Sequence, residues 1–413
     1  MEPIEDGTAS LNPLKALWHN LKKLPVASSW TGLVSGLLVV FVSTTGPIAI
    51  LYQAAAAGKL SAELTNSWLF AVFLGSGLFG LYLSLRFAMP IIGSWASTTT
   101  ALLVTGLADH KFSDVIGAYF GASILLLIVG ATGLFDKIIK IIPQRLIMAM
   151  LAGVLLRFGL RIFTSTQINP LLGVSMLLVY FITRRLKYRA PVLLAFFIGL
   201  LIAIIQSKIE LPNFHLSPTS PVWVSPTFSF GALFTLTIPI FLTVMTTQNA
   251  PGIVLLKAVN YRPPINQVVT VGAIFSLLGS GFGGAGVNIS AMTASLAITP
   301  DSNPDPKKRY FSGVISGLAY CIAAIFAATI STLYLSFPIE LTSVLAGIAL
   351  LPIIVNSLTE SLADSDFRDA AAVTFLVTIS GISGWGIGAP FWGILAGLAV
   401  HQITHLTPKA SKK

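Results

Sequence analysis

The sequence predicts an all-α polytopic membrane protein, with 14 transmembrane segments in a 7+7 inverted repeat and short extended pieces in segments 3 and 10. Apolar residues make up 54% of the 413 positions and charged residues only 10%. A soluble globular protein carries about 25% charged residues, because its surface must face water. Long stretches such as 263–300 contain no Asp, Glu, Lys or Arg. The apolar stretches are also divided equally between the two halves of the chain.

Residues 1–29 form a polar N-terminal segment before the first apolar stretch. Within it, Leu14, Trp18 and Leu21 recur at helical spacing beside Lys15 and Lys22. This pattern predicts an amphipathic helix that lies on the membrane surface rather than a span.

The apolar segments that follow are bounded by charges, Pro or Gly. A helical crossing needs roughly 20 mostly apolar residues, because the hydrocarbon core is about 30 Å thick. Together the segments leave only short loops, so we expect no soluble domain. They lie near 30–52, 67–86, 87–107, 114–133, 138–160, 170–183, 190–206, 229–247, 265–280, 281–299, 310–332, 338–358, 370–384 and 388–406.

The distribution of Lys and Arg predicts the orientation. Twenty of the 25 basic residues fall on the side that holds both ends of the chain, and five fall on the other side. Cytoplasmic loops carry the excess of basic residues. We therefore expect an integral plasma (inner) membrane protein with both termini cytoplasmic. We interpret the densest basic cluster, 184–189, as an anchor on the cytoplasmic membrane surface. The net charge of +10 indicates contact with anionic lipid rather than with nucleic acid.

The third segment of each half is interrupted. Pro90 and Gly93 break the first, and five glycines between 279 and 286 break the second before Asn288 and Ser290. We expect a short extended piece and then a half-helix in each, with Asn288 and Ser290 at the head of the second. Two helix N-termini that meet at a cavity form an anion site without a cationic side chain. The alternative is that the glycines only allow close helix packing, which accounts poorly for matched breaks.

Candidate substrate-binding residues follow from these breaks and from the eighth segment. Gln248 and Asn249 either donate hydrogen bonds to a carboxylate or cap the end of that segment. Trp95 either stacks on an aromatic substrate ring, with Phe241 as companion, or packs in the core. The candidate set is Ser94, Trp95, Ser97, Thr98, Phe241, Gln248, Asn249, Gly286, Asn288 and Ser290.

Two long motifs carry a family resemblance. Residues 238–257 read IPIFLTVMTTQNAPGIVLLK and continue through NYRPPIN at 260–266; residues 283–293 read GGAGVNISAMT, followed by PDSNPDPKKR at 300–309. In these motifs the chain closely resembles the benzoate/proton symporter family (BenE-type). Weaker agreement extends to Pro90, Trp95 and 381–397, so that the resemblance covers essentially the whole chain.

The resemblance implies the fold of nucleobase and sulfate-type anion transporters. In that fold, 30–133 and 229–332 (segments 1–4 and 8–11) form a core domain. The ranges 138–206 and 338–406 (segments 5–7 and 12–14) form a gate domain that mediates a homodimer, and 407–413 is a cytoplasmic tail. Two positions depart from the pattern: Ala285 stands where family members carry His, and Val287 stands where the nucleobase transporters carry a carboxylate. Neither residue titrates, so the coupling ion is not defined by these positions.

We therefore expect a secondary active transporter that imports a small aromatic carboxylate, benzoate-like, with a proton, by alternating access. The alternatives are a passive anion uniporter or channel, or a carrier of another small anion or nucleobase on the same fold. No catalytic residue, cofactor or metal ligand set is expected, because ionisable groups at membrane depth are rare and conspicuous. Segment 279–284 fits the nucleotide-binding pattern G-x-G-x-x-G. No strand–helix–strand unit surrounds it, so nucleotide binding is not expected.

Overall fold

The computed structural model describes residues 12–141, 143–188, 190–209, 216–290, 293–382 and 389–406. Apart from one small sheet, the regular secondary structure of the described part is helical, and the predicted tail 407–413 lies outside it. In the first half the helices are α1 (Pro13–Ala27), α2 (Trp30–Thr45), α3 (Pro47–Ala57), α4 (Ala62–Phe87), α5 (Ser97–Asp109), α6 (Phe112–Thr132), α7 (Phe135–Ile141), α8 (Gln144–Ile168), α9 (Pro170–Arg185) and α10 (Pro191–Ile205).

The second half has more interruptions within its helices. Two π-helical segments, Leu233–Thr237 and Val244–Asn249, occur there, together with 3₁₀ turns at Pro306–Lys308 and Ser365–Phe367. The helices are α11 (Phe230–Ala232), α12 (Ile238–Thr243), α13 (Ala250–Ala258), α14 (Ile265–Ser280), α15 (Ala294–Ile298), α16 (Tyr310–Ile325), α17 (Ala327–Leu335), α18 (Ile339–Leu362), α19 (Arg368–Ser380) and α20 (Ala389–Leu406).

Helix α1 is the amphipathic helix expected in the N-terminal segment. Asn12 caps it by accepting a hydrogen bond from the backbone N–H of Leu14. Leu14 and Trp18 are exposed on its outer face, whereas Asn20 is buried and donates to the backbone oxygen of Leu85 over 2.8 Å. The helix is therefore fastened to the end of α4 and presents apolar side chains outward.

Each of the fourteen predicted apolar segments overlaps at least one described helix. By length and composition, six described helices can cross a membrane, or seven if the pair Pro306–Ile325 and Ala327–Leu335, bent by 73°, is one span. The exact count of fourteen and the inverted repeat stay predictions. The six are Trp30–Ala57, Ala62–Phe87, Phe112–Thr132, Gln144–Ile168, Phe230–Ala258 and Ile339–Leu362.

The eighth segment does not end near residue 247, as the sequence predicted, but continues as helix to Ala258. Pro239 and Pro251 each follow a π-helical segment by two residues. Proline lacks an N–H and clashes with the carbonyl four residues earlier, and a local π turn accommodates both effects. Pro251 therefore widens the helix instead of ending it, so Gln248 and Asn249 lie inside the helix.

The only sheet among the described residues joins the two interrupted segments. Strand β1 (Gly93–Trp95) pairs antiparallel with β2 (Val287–Ile289). Ala96 N–H donates to the Gly286 oxygen over 3.1 Å, which continues the pairing beyond the strands. The backbones of segments 3 and 10 are therefore in direct contact. Partners in register are Gly93 with Ile289, Ser94 with Asn288, and Trp95 with Val287.

Close approach of β1 to α4 requires glycine at position 93. A Cβ placed there would lie 2.0 Å from the Ser76 carbonyl oxygen and 2.9 Å from the Gly80 nitrogen. No side chain can be accommodated at that distance from backbone atoms. The break predicted from Gly93 is therefore also a packing requirement.

The second half-helix begins later than predicted. Asn288 lies in β2, and the Ser290 N–H donates to the Ile92 carbonyl over 2.9 Å, so both belong to the strand pairing. Helix α15 starts at Ala294 and has only five residues. The expectation that Asn288 and Ser290 head this helix is wrong, because pairing with β1 holds them extended.

Helix packing places the paired strands between larger bundles. α4 packs on α16 and α14 on α6, whereas α8 packs on α18 and α19. β1 and β2 both contact α4. The assignment of these groups to a core and a gate domain stays a prediction.

Candidate functional site

A cavity of about 310 Å³ lies beside the paired strands. Its walls come from β1 and the start of α5, from the second π segment, from α15 and from helices α2, α3, α9, α10 and α18. Small-molecule sites typically enclose about 300–1,000 Å³. Six of the ten predicted site residues line it: Ser94, Trp95, Ser97, Thr98, Gln248 and Ser290.

The N-terminus of α5 faces this cavity without a cap. Ala96 occupies the N-cap position and no side chain bonds to the first turn. The hydroxyls of Thr99 and Thr100 donate to the Ala96 carbonyl, so they do not satisfy the N–H groups. Within the described residues, the N–H groups of Ser97 and Thr98 have no acceptor. Open amides at a helix N-terminus attract negative charge.

Trp95, which lines the cavity, carries a further donor without a partner in the described ranges. Its side chain is only 4% exposed, and its Nε1 has no hydrogen-bond partner among the described residues. The ring packs on Phe73 with centroids 5.3 Å apart, and Phe73 in turn contacts Tyr320. A buried donor without an acceptor costs about 1–3 kcal/mol. An acceptor in the cavity would remove that cost.

A group of hydroxyls forms the side of the cavity next to α15. Ser43 donates to the Thr293 hydroxyl over 2.9 Å, and the hydroxyls of Thr293 and Ser290 lie 2.7 Å apart. All three line the cavity. Thr247 adds a fourth hydroxyl, 3.3 Å from that of Thr98, which joins the second π segment to α5. Hydroxyls donate or accept as a ligand requires.

Phe241 and Asn249 were predicted in the site, but the structure puts them elsewhere. Phe241 packs against the main hydrophobic core, and the aromatic neighbour of Trp95 is Phe73. Asn249 is buried, and its Oδ1 accepts from the Ile289 N–H over 3.5 Å. Neither is among the described lining residues, and Asn249 supports β2.

Gly286 and Asn288 also lie behind the cavity wall. Gly286 has a φ of +71°, which favours glycine, and its carbonyl accepts from Ala96 and from the Asn288 side chain. Asn288 is 1% exposed. These residues hold the shape of the strand pair rather than line the described cavity, in contrast to the prediction.

Several lining residues were missed. Tyr180 and Arg184, on α9, line the cavity, and the Arg184 guanidinium donates to the Tyr180 hydroxyl over 3.1 Å. Arg184 is the only charged side chain among the described lining residues. It belongs to the cluster interpreted as a lipid anchor. The sequence feature that could have pointed to this pair is the i, i+4 spacing of Tyr180 and Arg184, which places both on one helix face.

Apolar side chains also line the cavity. Most of them come from α2, α3 and α18. The lining therefore combines polar groups that suit a charged group with apolar surface that suits a hydrocarbon body. The apolar residues include Val42, Ile50, Leu350 and Ile353.

The two positions that depart from the family pattern, Ala285 and Val287, are both buried, and neither is among the described lining residues. The Val287 side chain packs with the cluster around Phe79, and its N–H donates to the Ser276 hydroxyl over 2.8 Å. No group of three or more His, Cys, Asp or Glu side chains that could hold a metal occurs in the part of the chain that the structure describes.

The overall fold is similar to that of solved membrane transporters. The transmembrane domain of a cyanobacterial bicarbonate transporter, BicA, matches with a TM-score of 0.56 at 15% identity over 90% of this chain and 96% of that one. Murine Slc26a9, an anion transporter solved in the inward-facing state, matches with a TM-score of 0.61 at 13% identity over 94% and 70%. The fold is therefore one used by membrane transporters.

Sequence comparison defines the family. The family model described as benzoate membrane transport protein (BenE) matches residues 27–403. The chain is 34% identical over 391 residues to the benzoate membrane transport protein of Acinetobacter baylyi, covering 95% of this chain and 99% of that one. It is 36% identical over 375 residues to inner membrane protein YdcO of Escherichia coli, covering 91% and 96%. The chain belongs to the BenE family of membrane transport proteins, which confirms the resemblance seen in the motifs.

Proposed function

We propose that this protein is a secondary active transporter that imports a small aromatic carboxylate of the benzoate class with a proton. The observation that carries the proposal is the mixed lining of the cavity. It combines the uncapped first turn of α5 and Trp95, whose Nε1 has no partner among the described residues, with apolar side chains of α2, α3 and α18. The name of the Acinetobacter relative supports the same substrate class.

The carboxylate is proposed to bind at the start of α5. The N–H groups of Ser97 and Thr98 and the Nε1 of Trp95 would donate to its two oxygens, with Gln248 and Ser290 as further partners. The negative charge gains from the positive end of the helix, whose effect is strongest in the first turn. No acidic side chain is among the described lining residues, so nothing there repels an anion.

The aromatic ring is proposed to lie against the apolar side chains of α2, α3 and α18. A ring there would contact Ile50 and Leu350, and the edge of Trp95 lies within the same cavity. Burial contributes about 25 cal/mol for each Å² of apolar surface removed from water. This contribution would favour aromatic over small aliphatic acids, because the carboxylate contacts are the same for both.

Coupling to a proton follows from energetics. Entry of a monovalent anion against 100 mV costs about 2.3 kcal/mol, which reduces accumulation by about fifty-fold. The described lining contains no carboxylate or His that would carry a proton. We therefore propose that the proton travels with the substrate or with water in the cavity.

Alternating access is proposed to occur by movement of the β1–β2 unit and its helices against α8, α9 and α18. The cavity extends to Arg184 and Pro191, which the charge distribution assigns to the cytoplasmic end. This conformation would therefore open inward. A homodimer through the predicted gate domain would hold α8, α9 and α18 still while the rest moves.

The test is uptake of labelled benzoate into proteoliposomes that contain the purified protein. An inward proton gradient should drive accumulation, and a panel of aliphatic acids, sulfate and uracil should compete poorly. No uptake of any aromatic acid would contradict the proposal. Flux that follows the membrane potential and ignores the pH gradient would instead support the passive uniporter.

A further inference from the structure

A second cavity, of about 500 Å³, lies at the other end of α3. Pro47 and Ile50, near the start of α3, line the first cavity, whereas Tyr52 and Gln53, further along, line the second. The remaining walls come from α4, α8, α17 and α18. Because α3 contributes to both, the two cavities lie in sequence along one helix.

The charge of the second cavity is set by Arg161 on α8. It is the only charged side chain among the described lining residues. Its Nη1 donates to the Gln53 Oε1, and no carboxylate lies within ion-pair distance of it in the described ranges. A guanidinium presents five N–H donors in a planar fork that matches a carboxylate. Gln53 occupies one nitrogen and leaves the others for an anion.

The second cavity also has an aromatic wall. The rings of Tyr52 and Tyr334 stack with centroids 4.4 Å apart and planes 11° apart. Hydroxyls of Thr65, Ser331 and Thr342 lie around them. A cation beside aromatic rings and neutral hydroxyls suits a carboxylate attached to a ring.

Helices α3 and α18 are in tight contact beside the first cavity. A Cβ on Gly46, just before α3, would lie 2.1 Å from the Cβ of Ala349 on α18, and Ala349 lines that cavity.

We propose that the second cavity is an outer anion site that captures an aromatic carboxylate before it reaches the β1–β2 site, with Arg161 as the residue that binds the carboxylate. The inference rests on the proposed function. The C-terminal ends of α3 and α8 fall on the side with few basic residues, which is the external side by the charge rule. Arg161 is therefore placed to meet substrate from outside.

The experiment compares four variants in proteoliposomes of uniform orientation. R161Q removes the cation, R161K keeps the charge without the fork, and Q53A removes the neutral hydrogen-bond partner but keeps the cation. R145Q is the matched control, because Arg145 lies on the same helix but pairs with Glu360 at 2.6 Å and lines neither cavity. Initial rates are measured for benzoate uptake and for benzoate efflux, and calorimetric titration with benzoate gives the number of bound molecules.

R161Q should raise the KM for uptake about tenfold, the effect of one lost charge-assisted hydrogen bond, and leave efflux KM within about twofold. R161K should restore part of the loss, R145Q should behave as wild type, and Q53A should raise the uptake KM far less than R161Q because it keeps the cation. Wild type should bind two benzoate molecules and R161Q one.

Equal effects of R161Q and Q53A would show that the Arg161–Gln53 bond is a structural fastening and would overturn the outer site. A single bound benzoate in wild type would also overturn it. A wild type that neither binds nor transports benzoate would instead reject the proposed function, so the two failures are distinguishable.

Discussion

Substitution of Trp95 by Phe tests the proposed carboxylate site most directly. The change removes the Nε1–H donor, which is buried and has no partner among the described residues, and retains an aromatic ring against Phe73. If the substrate carboxylate is the missing acceptor, the loss falls on binding rather than on folding. At a Trp with a purely structural role, the same substitution would lower stability and leave benzoate affinity unchanged.

The magnitude follows from two contributions. A hydrogen bond to a charged group contributes about 1.5–3 kcal/mol, so the Kd for benzoate should rise about 10- to 150-fold in W95F. In the empty protein, removing a buried unpaired donor gains about 1–3 kcal/mol, while the smaller Phe ring loses packing of similar size. The unliganded stability should therefore change by less than about 1 kcal/mol.

Titration calorimetry with benzoate and thermal unfolding, with and without ligand, measure both quantities on the purified protein. W68F is the matched control, because Trp68 is fully buried and packs against Phe112 without lining the cavity. It should lose stability but keep its affinity. Unchanged benzoate affinity in W95F would refute the assignment of Nε1 as a ligand donor.

Three further predictions concern the strands and the cavity mouth. G93A should abolish transport and lower folded yield, because its Cβ would lie 2.0 Å from the Ser76 carbonyl oxygen; uptake and size-exclusion profiles check this. S276A leaves the buried Val287 N–H without its acceptor at 2.8 Å, and should lower the free energy of unfolding by about 1–3 kcal/mol in chemical denaturation. R184Q should weaken inward-side benzoate binding several-fold at low salt and much less at high salt, since Arg184 is exposed; efflux rates at two ionic strengths test this.

The interrupted segments could be predicted because their signals are local. Pro90, Gly93 and the glycines from 279 to 286 are residues that resist helix, and the structure has strands within both segments. The continuation of helix beyond Pro251 could not be read in the same way, since proline commonly ends a helix and a π turn has no sequence signature. The late start of α15 depends on pairing with β1, which is a contact between positions nearly 200 residues apart.

The candidate site was predictable in part for the same reason. Ser97 and Thr98 directly follow the interruption of the third segment, and both line the cavity beside it. Asn288 looked like a helix cap and is a strand residue, because the partner strand was invisible locally. The contribution of Arg184 depends on how α9 packs beside the cavity, and its position in a basic cluster suggested a lipid contact instead. Tertiary assembly, rather than propensity, decides these cases.

The β1–β2 frame beside the cavity is made largely by main-chain atoms, since the strands pair through amides and the α5 end presents its own N–H groups. Main-chain atoms are common to every residue type, so side chains such as Ser94 or Ser290 can be exchanged while the frame persists. A titratable group can then be absent at Ala285 or Val287 without collapse of the architecture. Substrate selectivity can therefore change through side-chain substitutions while the backbone architecture stays the same.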